Sequence, residues 1–252
     1  MVKLHYLTTF PEIIEAYFNY SIPSRAVDKK LVVPQFVNLR DYTEDKHRTT
    51  DDTPYGGGPG MVMKIEPFIS AIDSLNLSSS SAVVHLTPKG QLLTQSLLSE
   101  LSSYRDLVFL CGHYEGIDER ISLYANYAVS IGDYIVGGGE ISSLVVTDGI
   151  IRLVEKVVGN KASIEEDSFS NGVLDHPQYT KPRIFDNLPV PEVLLSGHHK
   201  EICIYRRKEA LKWTLLLRPE LLDKHNLSNQ DKIWLKEIFS NIQCNLVELL
   251  DE

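Results

Sequence analysis

The stretch "SIGDYIVGGGE", Ser130 to Glu140, follows the apolar run "AVSI" with a nearly bare backbone and closes on a carboxylate. Glycines placed this way either make a tight turn or let backbone amides and carbonyls come close to a ligand. Two other apolar runs end in the same manner: "AVVHL" (Ala82–Leu86) leads into "TPKG", and "DLVFL" (Asp106–Leu110) leads into "CGHYEGIDER". In an open parallel sheet, ligands settle beyond the carboxyl ends of the strands, so these three loops are expected to converge on one pocket.

Working outward, "KLHYL" precedes the helical pattern "PEIIEAYFNY", "AVVHL" precedes "QLLTQSLLSEL", and "DLVFL" is followed by "AVSI" after a loop and short helix. That alternation predicts a parallel α/β sheet. A long apolar-periodic helix is expected from about Ile141 to Val158, ended by "GN", and the polar, breaker-rich "KASIEEDSFSNG" after it reads as a linker. Beyond Pro191, "KEICIYRRKEALKWTLLL" and "DKIWLKEIFSNIQCNLVELL" show helical spacing and predict a small helical second domain. The expected organisation is residues 1–160 for the ligand-binding α/β domain, 161–177 for the linker and 178–252 for the helical domain. "SSSS", Ser78 to Ser81, is a loop on this reading.

The chain has 252 residues, 43% hydrophobic and 23% charged, with a formal net charge of −9. Pro11, Glu12 and Glu15 interrupt any signal-peptide core, no apolar run approaches membrane-spanning length, and Cys111, Cys203 and Cys244 form no C-x-x-C pair. A cytoplasmic protein with reduced thiols is expected. The acidic total excludes a surface that attracts nucleic acid everywhere, but "HHKEICIYRRKEALKW" concentrates Lys200, Arg206, Arg207, Lys208 and Lys212 against Glu201 and Glu209. This run is either a solvated helix face or a phosphate-binding patch.

No phosphate-loop or dinucleotide fingerprint occurs in the three glycine-bearing loops. Lys89 and Arg120 against Glu115, Asp118, Glu119, Asp133 and Glu140 leave them at net −3, a poor cradle for polyphosphate. A cationic ligand suits them better, and S-adenosylmethionine carries a sulfonium, an ammonium group and an adenine that needs backbone hydrogen bonds.

Six motifs then carry a family resemblance over nearly the whole chain: "DDTPYGGGPGMVMK", "LTPKGQ", "CGHYEGIDERI", "SIGDYIVGGGE", "EEDSFSNGVLDHPQYTKP" and "VPEVLLSGHHKEI". In this order they resemble the bacterial tRNA (guanine-37-N1) methyltransferases of the TrmD type, within the SPOUT superfamily. The resemblance implies a deep trefoil knot in the N-terminal domain, which periodicity does not reveal and which general fold rules disfavour. It also implies an obligate homodimer with active sites completed by the partner, and a helical C-terminal domain that grips the tRNA anticodon stem-loop. S-adenosylmethionine contacts are implied at Leu86, Pro88, Gly112, Tyr114, Glu115, Gly116, Ile131, Gly132, Asp133, Tyr134, Ile135, Val136, Gly138 and Gly139. A magnesium ion is implied too, with Glu115 as one group that places it or meets the methionine ammonium.

Guanine N1 carries a proton at neutral pH, so methylation needs a base and a cation for the charge that moves onto O6. By resemblance these are Asp167 and Arg152. Their bland alternatives are a helix cap at Asp167–Ser168 and a surface ion pair between Asp148 and Arg152. "PYGGGPGM", with Gly57, Gly58 and Pro59, is implied to line the guanosine pocket, the alternative being a surface loop. Arg206, Arg207 and Lys208 are the implied tRNA contacts. The chain departs from the family pattern at Gly137, where many relatives have serine, and at Leu217, where an arginine pair is frequent. "VEKVVGN" lacks a proline often found there, so the long helix is expected to run slightly further.

Overall fold

The computed structural model describes residues 1–157, 168–169, 172–224 and 227–251. The chain divides into two compact units, Met1–Gly159 and Asn160–Glu252.

The first unit contains strands β1 (Val2–Thr8), β2 (Val32–Asn38), β3 (Asp51–Asp52), β4 (Val62–Met63), β5 (Ser81–Leu92), β6 (Asp106–Leu110) and β7 (Tyr127–Ser130). Its helices are α1 (Pro11–Tyr17), α2 (Ser21–Asp28), α3 (Ile65–Ser74), α4 (Gln95–Leu101) and α5 (Gly139–Leu153). Five strands form an all-parallel sheet in the order β2-β1-β6-β5-β7, while β3 and β4 make a small antiparallel pair. Both faces of the sheet are covered, which is why its strands read as continuous apolar runs. Leu4, Tyr6, Val84 and Phe109 pack with Ile14, Leu98 and Ile150 on one face. The alternate residues Leu7, Val83, Val108 and Leu110 pack with Phe68 and Ile121 on the other. Tyr6 stacks on Phe109 at 5.3 Å, and its buried hydroxyl meets Thr147 Oγ1 at 2.7 Å.

Several elements differ from the sequence-based expectation. The helix expected over 141–158 starts at Gly139 and stops at Leu153. Val154 turns to extended backbone and Lys156 adopts φ +70°, a conformation no α-helix contains, and this bend seats Val157 in the core. The strand at "AVVHL" continues to Leu92, and α4 begins only at Gln95. Gln91 and Leu92 pair with β7, and Thr94 Oγ1 accepts the Leu97 amide as an N-cap, so the residues before it are held in the sheet. Sequence periodicity did not bring out α2 and β2. Pro34 within β2 is tolerated because that strand lies at the sheet edge.

In the second unit, β8 (Ile184–Phe185) and β9 (Leu188–Pro189) form a hairpin whose turn residues, Asp186 and Asn187, both have positive φ. The helices α6 (His199–Leu217) and α7 (Asn229–Asp251) follow. Val173, Ala210 and Leu211 centre a small core with Trp234, Leu235 and Ile238. Thr214 is fully buried; its hydroxyl accepts the Leu174 amide at 2.9 Å and donates to the Ala210 carbonyl.

One stability consequence follows from β1. His5 is buried, its Nε2 lies 3.4 Å from Asp106, and its Nδ1 has no hydrogen-bond partner among the described residues. Burial lowers its pKa from 6.5, and Asp106 only partly offsets that; burial lowers His85 likewise. The unfolded chain therefore binds more protons than the fold as pH drops below about 6.5, and stability falls with it. Asp118, held at about 2 by Arg120, and Asp231, held low by Arg207, respond only in stronger acid. The urea midpoint should decrease between pH 7.5 and 5.5, and the decrease should be shallower in His5→Gln. A midpoint unchanged over that interval would remove the buried imidazoles from the balance.

Candidate active site

A cavity of about 400 Å³ opens beyond the carboxyl ends of β6 and β7, beside the irregular middle of β5. Each of the three glycine-bearing loops contributes to its wall. The first loop supplies Leu86 and Pro88, and the second supplies Gly112, Tyr114, Glu115 and Gly116. From the third come Ile131, Gly132, Tyr134, Ile135, Val136, Gly138 and Gly139. Asp133 is not part of the wall: it sits at the exposed apex of a turn closed by the Tyr134 amide on the Gly132 carbonyl. Lys89, counted in the charge balance of the loops, also lines the cavity, as do His85, His113 and Ser142, to which the sequence assigned no role.

The loops are held against one another through backbone. The Gly139 amide donates to the Gly112 carbonyl at 2.7 Å, and His113 bridges to Gly138. A Cβ at Gly139 would lie 2.6 Å from Cys111 Cα and 2.8 Å from the Gly112 nitrogen, so only glycine permits this approach. At Gly137, by contrast, an added Cβ would meet nothing within 4 Å. On the other side, Val129 pairs with both Leu86 and Gln91, so the chain between them leaves the sheet and returns to it beside β7.

The local cations are already engaged. Lys89 Nζ lies 2.6 Å from Glu119, and Arg120 makes a two-pronged pair with Asp118 at 2.8 and 2.6 Å. Glu115 remains at the lip as an exposed carboxylate. Coulombic matching at this site therefore favours positive charge on a ligand.

The loop "PYGGGPGM" joins the cavity wall at its base. The Glu115 amide donates to the Met61 carbonyl at 3.0 Å, the Met63 amide to Gly116 at 2.9 Å, and the Asp118 amide to Met63 at 3.0 Å. Gly57, Gly58 and Pro59 are exposed at the tip, with positive φ at both glycines. A flat polar group laid on this tip would meet backbone rather than side chains.

Arg152 stands in the last turn of α5 and is partly buried. Asp148, its neighbour one turn earlier, accepts the Tyr17 hydroxyl at 2.5 Å. Asp167 lies outside the described residues. The Ser168 hydroxyl beside it accepts the Asp175 amide at 2.8 Å.

The basic cluster on α6 is less uniform than its sequence suggests. Arg207 makes a two-pronged pair with the buried Asp231 of α7 at 2.9 and 3.0 Å, so its guanidinium ties two helices together. Lys208 lies 3.1 Å from Glu237 and over the Trp234 ring. Arg206 has no ion-pair partner among the described residues.

The sequence model of the family described as tRNA (Guanine-1)-methyltransferase TrmD matches residues 2–224. Among curated proteins, a tRNA (guanine-N(1)-)-methyltransferase of Dictyoglomus turgidum is 49% identical over 238 residues, covering 94% of this chain and 97% of the relative. Proteins of the same name from Caldanaerobacter subterraneus subsp. tengcongensis and Carboxydothermus hydrogenoformans are 47% and 45% identical. The first match covers 92% of this chain and 96% of the relative, the second 100% and 98%.

Proposed function

Because the chain belongs to the TrmD family of tRNA (guanine-1)-methyltransferases, we propose that it methylates N1 of guanosine-37, next to the anticodon of tRNA, from S-adenosylmethionine. The observation that carries this reading is the joining of two bare-backbone loops, one walling an acidic-lipped cavity and one presenting Gly57 and Gly58 beside it. A donor pocket and an acceptor platform are thus neighbours in one unit.

S-adenosylmethionine fits the cavity by volume, by the close-approach glycines and by charge, since the lip offers Glu115 while Lys89 and Arg120 are already paired. When bound, it supplies a methyl group from a sulfonium that leaves as a neutral thioether. The chain's own residues then have one task, to make guanine N1 nucleophilic. Asp167 takes the N1 proton, and Arg152 meets the negative charge that develops on O6. The bare tip at Gly57, Gly58 and Pro59 holds a splayed base by backbone contact.

The same reading includes the family's trefoil knot, with which the excursion between Leu86 and Gln91 beside β7 and the Gly139–Gly112 contact are consistent. It includes a homodimer, supported by exposed Ile135, Ile141 and Val145 on the cavity loop and the first turns of α5. The domains are assigned as 1–160 for the knotted methyltransferase domain, 161–177 for the linker that carries Asp167, and 178–252 for tRNA binding. The compartment is the cytoplasm; among the described residues no helix is long and apolar enough to cross a membrane. Magnesium belongs to the same reading; among the described residues no group of three or more His, Cys, Asp and Glu side chains could hold a metal ion by itself.

The deciding experiment is methylation of tRNA transcripts differing only in G or A at position 37, with the product mapped by the reverse-transcription stop that an N1-methylated guanine causes. Equal transfer to both, or to neither, would overturn the reading.

For the second unit, Arg206→Ala should weaken tRNA binding and lower the salt slope by about one unit, as expected for one lost phosphate contact. Arg207→Ala should instead cost about 3 kcal/mol of stability, because it leaves the buried Asp231 uncompensated. Filter binding across a salt series and urea melts separate the two; an unchanged slope in Arg206→Ala would make that side chain part of a solvated face.

A further inference from the structure

Glu140, the residue that closes the glycine run, is 1% exposed. Burying a carboxylate costs several kcal/mol unless both oxygens are met. Thr8, at the end of β1, donates its hydroxyl to Oε1, and His113 Nε2 lies 2.9 Å from Oε2. Position adds to this, since Glu140 occupies the first turn of α5, where the helix dipole favours negative charge.

Glu140 and its two partners come from three separate segments, and of the three only His113 lines the cavity. The imidazole is fixed on its other sides as well. The Phe10 ring lies 4.8 Å away, the His113 amide points at Met63 Sδ at 3.1 Å, and the residue bridges to Gly138. A Cβ at Gly138 would collide with His113 Nε2 and would come within 2.5 Å of Glu140 Oε2. The glycine thus leaves the room in which the imidazole and the carboxylate meet.

We propose that Glu140 is a positioning residue for the methyl-donor pocket: anchored on Thr8, it fixes the His113 ring and thereby the spacing of the second and third cavity loops. This rests on reading the cavity as the S-adenosylmethionine site. A buried contact between a carboxylate and an imidazole is weak support for stability by itself, because apolar groups of similar volume commonly do as well. A carboxylate that binds donors from two other segments is instead a directional clamp, and what it clamps here is the cavity wall.

The test is calorimetric titration of S-adenosylmethionine into wild type, Glu140→Gln, Thr8→Val, His113→Gln and the Glu140→Gln/His113→Gln double variant, with melting temperatures measured on the same samples. Glu140→Gln keeps the shape and removes the charge, and its dissociation constant should rise about tenfold, the size of losing one charge-assisted hydrogen bond. Thr8→Val should weaken the cofactor in the same direction although Thr8 is not part of this cavity's wall, and the double variant should be no weaker than its weaker parent. Glu140→Gln with wild-type affinity and only a lower melting temperature would reduce the clamp to fold stability. Additive losses in the double variant would also overturn the proposal, since the two side chains would then act separately. If wild type itself binds no S-adenosylmethionine, the cavity reading fails and the clamp falls with it, a result distinct from the other two.

Discussion

Asp167→Asn should lower single-turnover methyl transfer by about a hundredfold to ten-thousandfold, the usual cost of removing a general base. Affinity for S-adenosylmethionine should stay near wild type, because the lost group's proposed target is the guanine proton. The residual rate should rise with pH, since solvent deprotonation of N1 then replaces the missing base. Arg152→Ala should lower the same rate constant without that pH rescue, because its proposed partner is the charge on O6. Quench-flow with radiolabelled donor reads both variants. Wild-type rates in Asp167→Asn would take this residue out of the mechanism and restore an ordinary linker.

Gly139→Ala should have the second large effect. A single methyl group there meets Cys111 Cα and the Gly112 nitrogen, which are backbone atoms and cannot swing aside. Overpacking of this kind costs about 1–3 kcal/mol, or roughly fivefold to a hundredfold in binding if the closed pocket bears it. Gly137→Ala is the matched control, since its Cβ would meet nothing within 4 Å. Calorimetry should therefore find weakened S-adenosylmethionine binding in the first variant and little change in the second. Equal affinities would mean that the second and third cavity loops need not touch to bind the donor.

Much of the site was legible because its signals are local. Glycine-bearing loops after apolar runs, with acidic residues in excess, pointed to a backbone-lined pocket for a cationic ligand, and the three loops do converge on one cavity, with Leu86, Gly112, Glu115 and Gly138 in its wall. What escaped notice lies in pairings between distant segments. Glu140 counted only as one more negative charge, yet its oxygens belong to Thr8 and His113. Arg207 looked like its neighbours Arg206 and Lys208, but Asp231, 24 residues further on, holds it. Asp133 carries the motif and misses the wall because a turn of three residues turns it outward to solvent. The early stop of α5 is of the same kind, since Val157 enters the core only if the helix ends before it.

The sequence by itself determined the alternation of strands and helices, the glycine positions and the family, because period, turn chemistry and motif order are properties of neighbouring residues. Only the tertiary structure decided which cations are already engaged, where β5 ends and which side chain meets Glu140. Those outcomes depend on distances between segments more than a hundred residues apart in the case of Thr8 and Glu140, and a distance across the fold is set by packing, not by any single stretch of chain.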